Sequence, residues 1–122
     1  MSSFTPARRV RGSRSGRPIM VLLDLLGRRM ALRILWELSI AEGPLTFRGL
    51  LAAAQTNPSV LNKRLKELRD ARLVAHNGQG YELSAMGKEL VALVLPLHVW
   101  ADAWAPQLMR ERRNRVPVGP RR

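Results

Sequence analysis

Two helical patterns between residues 46 and 71 are separated by little more than Gln55-Thr56, and so short a connection fixes the angle between the helices it joins. The segment reads as a helix-turn-helix. Thr46 is a suitable N-cap for a short helix through Ala54, and Asn57-Pro58-Ser59 opens the next with a cap and a proline at its first position. In the second helix, which runs to about Ala71, Leu61, Leu65 and Leu68 fall within about 60° of one another, while Ser59, Asn62, Lys63 and Lys66 gather on the opposite side. One face packs and the other is free to read. Its short polar groups come first, its bases next, and the acids Glu67 and Asp70 late, the order a helix needs to enter a nucleic-acid groove by its N-terminal end.

The flanking segments supply a body. Pro18 opens an apolar stretch, Ile19 to Leu26, that reads as a short helix buried all round and closed by Gly27. Ala31, Ile34, Leu35 and Leu38, with Trp36 beside them, mark a second helix that stops at Gly43-Pro44. After Arg72, Leu73 to His76 and Tyr81 to Leu83 flank Asn77-Gly78, a pair that readily supplies two positive-φ positions, and together they read as a small hairpin. Ser84 then caps a helix that is apolar over more than one face from Leu90 to Trp104, and Pro96 is expected to kink or divide it. A domain this small has no interior for that surface. We therefore assign Ile19, Leu22, Leu23, Leu26, Leu93, Leu97, Trp100 and Trp104 to a dimer interface.

Charge divides the chain in the same places. Residues 1–17 hold five Arg and no acid, and residues 107–122 hold six Arg against Glu111 alone. These ends carry ten of the +12 net charges, so residues 18–106 are close to balanced. Both ends are rich in Ser, Gly, Pro and Arg and have little to bury, so they are expected to be basic flexible arms about a folded 18–106 domain. Such arms bind phosphate without reading sequence, although an Arg-rich tail can also serve solubility alone.

Several function classes drop out. With no cysteine there is no disulfide framework, thiolate zinc site or thiol nucleophile, and the chain suits a reducing cytoplasm. No apolar run approaches the roughly 18 residues of a membrane span, and no signal peptide is expected from the basic start. His76 in the hairpin and His98, read as a packed helix residue among apolar neighbours, have no Asp or Ser at a spacing that suggests a nucleophile and base. No metal or cofactor is expected, and Gly78-Gln-Gly80 lacks the Lys-Ser/Thr that would follow a phosphate loop.

Seven local strings, in order, resemble the HxlR-type bacterial transcriptional regulators. They are Arg17-Pro18 with Leu23-Asp24-Leu25-Leu26-Gly27; Leu32-Arg-Ile34-Leu35; Phe47-Arg-Gly-Leu50; Asn57 to Leu68; Leu73-Val74; Tyr81-Glu-Leu-Ser84-x-x-Gly87; and Trp100. The resemblance covers residues 17 to about 104. It implies a mainly α (α+β) winged helix-turn-helix with a short two-stranded wing and flanking dimerisation helices. It also implies a non-enzymatic, homodimeric regulator that binds double-stranded DNA at an inverted repeat. Arg17 stands where the family often has cysteine, so the thiol-based sensing of some members cannot operate here. Met30 replaces a usual aromatic, and Arg72 replaces a common helix-ending glycine. The DNA-contacting set expected from the residues is Asn57, Ser59, Asn62, Lys63, Arg64, Lys66, and, in the wing, His76 and Gln79. The rival reading is a winged-helix architectural or protein-interaction module whose tails bind nucleic acid nonspecifically.

Overall fold

The computed structural model describes residues 16–115. Its elements are α1 (Pro18–Leu26), α2 (Ala31–Ile40), α3 (Phe47–Ala54), α4 (Pro58–Asp70), β1 (Val74–Asn77), β2 (Gly80–Leu83) and α5 (Ala85–Arg115). The two helices of the central motif begin on the expected caps. The Thr46 hydroxyl accepts from Gly49 N at 3.0 Å, and Asn57 Oδ1 accepts from Val60 N at 2.9 Å, which satisfies one otherwise orphaned donor in each first turn. Between them, Gln55 takes a left-handed conformation (φ 54°) that ends α3 and turns the chain.

The end of α4 is a Schellman motif built on a residue poorly suited to it. Leu73 N donates to Leu68 O and Arg72 N to Arg69 O, both at 2.9 Å, with Arg72 itself at φ 64°. A side chain in that region costs roughly 1 kcal/mol that glycine does not. Arg72→Gly should therefore raise stability by up to about 1 kcal/mol, read as a rise in Tm of about 4 °C in thermal unfolding. An unchanged or lower Tm would show that the arginine side chain contributes more than its backbone costs.

The wing forms where expected, with a different turn. β1 and β2 pair antiparallel in the register Val74↔Leu83, Ala75↔Glu82, His76↔Tyr81 and Asn77↔Gly80. Asn77 and Gly78 do not supply the positive φ values; the one in this turn is at Gly80, at 137°. The cause is the Asn77 side chain, whose Oδ1 accepts from Gln79 N at 2.7 Å and Gly80 N at 3.2 Å and so moves the turn one residue along. A further pairing has no counterpart in the sequence pattern. Leu45, just before α3, bridges to Tyr81 through two backbone hydrogen bonds of 2.9 and 2.7 Å, joining the wing to the helix-turn-helix.

Of the described residues, 16–91 form one compact unit. Its core takes Ile34, Leu35 and Leu38 from α2, Leu50 and Ala54 from α3, and Leu61, Leu65 and Leu68 from α4. Leu73, Val74, Tyr81 and Leu83 close it from the wing side. The helix α1 is not buried all round: Val21 and Leu25 are buried, whereas Ile19, Met20 and Leu23 are about half exposed. Helices α1 to α4 form a body with a wing, and the fold is a winged helix-turn-helix.

The helix α5 begins on Ser84, whose Oγ accepts from Gly87 N at 3.0 Å and donates to Arg72 O at 2.7 Å. It continues past both Pro96 and Pro106 as one helix, so of the two outcomes expected at Pro96 division does not occur. Each proline deprives one carbonyl of its donor, and the residues concerned, Ala92 and Asp102, are exposed, so water can take the place of the missing N–H. Residues 92–115 belong to a second unit. The segment 107–115, placed in the C-terminal arm by its charge, is helical as part of α5; residues 1–15 and 116–122 of the two arms lie outside the described residues. Among the described residues, no helix is long and apolar enough to cross a membrane.

Candidate DNA-reading surface

The outer face of α4 is built by default. Once Leu61, Leu65 and Leu68 are buried, Ser59, Asn62, Lys63 and Lys66 must point away from the core, and all four are exposed. Lys66 Nζ lies 3.5 Å from Asp70 Oδ2, with both side chains more than half exposed. A pair that wet contributes little, so Lys66 can exchange it for a phosphate. Asn57 stands at the start of the same face, with its Oδ1 held in the cap and therefore not available to a base.

Arg64 departs from its expected place. Its side chain is only 13% exposed, Nε donates to Arg29 O at 2.8 Å, and Nη1 to Glu67 Oε1 at 3.3 Å. Its position on the helix, on the flank between packed and free faces, turns it toward the α1–α2 loop. There it joins a chain of ion pairs, because Arg28 binds Glu67 Oε2 at 2.8 Å and Asp24 Oδ2 at 3.1 Å. Sequence spacing hints at the halves of this chain, Asp24 with Arg28 and Arg64 with Glu67. The link between them spans 39 residues and leaves no periodic signal.

In the wing, the His76 ring lies flat on Tyr81, with centroids 4.0 Å apart and planes within 3°. Its cross-strand position places it there, and its edge remains exposed beside the exposed Gln79. Asn77 Nδ2 donates to Glu82 Oε2 at 2.8 Å, so both ends of that amide are occupied in holding the turn. Arg48, exposed in the first turn of α3, lies outside the set expected from the sequence.

Of the residues assigned to a dimer face, Ile19 and Leu23 on α1 and Leu93, Leu97, Trp100 and Trp104 on α5 are exposed. Leu22 and Leu26 are half-buried, the latter against the core. Trp100 and Trp104 stack on each other at 5.6 Å. His98 is exposed rather than packed, 3.7 Å from Asp102 one turn along α5. Among the described residues no three His, Asp or Glu side chains come together as a metal site.

The geometry can be set beside known proteins. The HxlR-like helix-turn-helix family profile matches residues 25–109. Among solved structures, quinone-bound YodB from B. subtilis is 28% identical with a TM-score of 0.64, over 70% of this chain and 96% of that one. A possible HxlR family transcriptional factor from Thermoplasma volcanium GSS1 has the same fold, with a TM-score of 0.65 at 22% identity over 72% of this chain and 84% of that one. No curated protein matches. The profile spans α2 to most of α5 in the order described above, and the chain belongs to the HxlR-like helix-turn-helix family.

Proposed function

We propose that this chain is a sequence-specific DNA-binding transcriptional regulator of the cytoplasm, acting without catalysis or cofactor, and that it works as a homodimer on an inverted repeat. One observation carries the reading: the second helix of a capped helix-turn-helix buries three leucines and leaves Ser59, Asn62, Lys63 and Lys66 exposed from its first turns. In such motifs that end enters the major groove, and a two-fold dimer places two of them roughly 34 Å apart or a multiple of that. Ser59, Asn62 and Lys63 are the base-reading candidates. Lys66 and Arg48 are phosphate contacts, and His76 and Gln79 reach the backbone from the wing. Arg64, engaged with Arg29 and Glu67, is left out of the reading set. The exposed faces of α1 and α5 form the dimer contact.

Selection of bound sequences from a random duplex pool tests this directly, and an inverted repeat should be enriched. Asn62→Ala should then cost about 1–3 kcal/mol at one base pair of each half-site, since an amide can pair bidentately with adenine. Removing residues 1–16 should weaken operator and random duplex alike and flatten the salt dependence, by about one unit of slope for each phosphate the arm neutralises. If Asn62→Ala changed binding to neither duplex and removal of the arms abolished binding to both, the architectural reading would replace this one.

A further inference from the structure

We propose that Glu67, with Arg28, is a positioning residue for DNA reading: it sets the roll of α4 against α1 and so determines which bases the outer face meets, without touching DNA. The inference rests on the proposed role of α4. Packing of the leucine stripe fixes which face of that helix is buried, but apolar contacts are non-directional and leave a small roll about its axis less closely specified than hydrogen-bonded ion pairs do. The flank of the helix supplies what the stripe lacks. Both Glu67 oxygens are used, Oε2 by Arg28 and Oε1 by Arg64, and the two arginines are anchored independently, one to Asp24 on α1 and the other to the Arg29 carbonyl. All four side chains are between 13% and 27% exposed, dry enough to hold a geometry and wet enough to have been laid down without a large desolvation cost.

The consequence lies in tolerance. A base-reading side chain must be held to about 0.5 Å and 10–20°, so a small roll of α4 misplaces Asn62 and Lys63 while leaving diffuse phosphate attraction intact. A residue that only stabilised the fold would lower binding to every duplex in proportion to the folded fraction. A positioning residue changes specificity instead.

The test uses the full chain and the operator selected by the wild type, with Glu67→Gln and Arg28→Met as separate variants. Each should lose operator affinity by about tenfold, the size of one misplaced base contact, while affinity for a scrambled duplex stays within about twofold and the salt slope is unchanged. Circular dichroism should show the folded helix content of the wild type for both. Renewed selection with Glu67→Gln should also return a weakened base preference within the half-site. Operator affinity within about twofold of wild type for both variants overturns the proposal, as does an equal loss on both duplexes. If the wild type enriches no sequence, the reading of α4 itself has failed and the proposal falls with it, a result distinct from either of those.

Discussion

Gly80→Ala should destabilise the domain by roughly 3–5 kcal/mol, with a loss of about 15 °C or more in Tm, while Gly78→Ala two residues away should be neutral or slightly stabilising. Gly80 is held at φ 137°, which side chains rarely adopt. A Cβ there would also overlap the Leu45 carbonyl and crowd Thr46 N, and these are backbone atoms with nowhere to go. Leu45 makes both hydrogen bonds of the bridge to Tyr81, and Thr46 caps α3, so any escape displaces the wing or the first helix of the motif. At Gly78 nothing lies within 4 Å of such a Cβ, and its backbone conformation is open to alanine. There the smaller freedom of the unfolded chain favours the variant by about 0.4–1 kcal/mol. The pair separates a backbone requirement from a general wish for glycine in turns. Thermal unfolding of both would contradict the account if Gly80→Ala fell within about 1 kcal/mol of the wild type.

That glycine also shows which parts of the molecule its sequence makes legible. The caps at Thr46 and Asn57 and the leucine stripe of α4 are local in cause, so reading a few neighbouring residues suffices. For the wing, the sequence locates the turn but not its type, because Asn77 has two options of similar cost, and the choice depends on donors that only the folded hairpin presents. Pairings at long range leave no trace. Leu45 and Tyr81 are both ordinary apolar residues, and nothing in either announces the other. The same holds for Arg28 and Glu67: spacing leaves Arg64 off the free face of α4 but does not tell that the Arg29 carbonyl holds it on the flank. The stretch Ile19 to Leu26 illustrates a different limit: its apolar character says that cover is required but not from what, and the core takes only Val21 and Leu25 fully. Pro96 leaves α5 undivided, since the Ala92 carbonyl that loses its donor is exposed and water can replace the missing N–H.

Leu97→Lys should convert a dimer into a monomer and, with it, reduce operator affinity by about 10²- to 10⁴-fold, because two linked half-site contacts become independent ones. Leu93, Leu97, Trp100, Trp104 and Leu108 recur at intervals of three and four along α5, and every one is exposed, Leu93 to 75% and Leu97 to 59%. An exposed apolar series of this length is more than a monomer ordinarily leaves uncovered. Since Leu97 is mostly exposed in the single chain, lysine there costs the folded protomer little. In an isologous contact it meets its own copy or apolar neighbours, and burying an unpaired ammonium costs several kcal/mol. The choice of lysine over glutamate removes an ambiguity. Any direct electrostatic effect on DNA would strengthen binding, so a loss of operator affinity must come from impaired dimerisation. Sedimentation at micromolar concentration should show the wild type as a dimer and Leu97→Lys as a monomer of unchanged helix content. Its affinity for random duplex should be equal or slightly higher. A variant that remained dimeric and bound the operator as well as the wild type would remove this stripe from the proposed interface, and a wild type that sedimented as a monomer would overturn the proposed dimer itself.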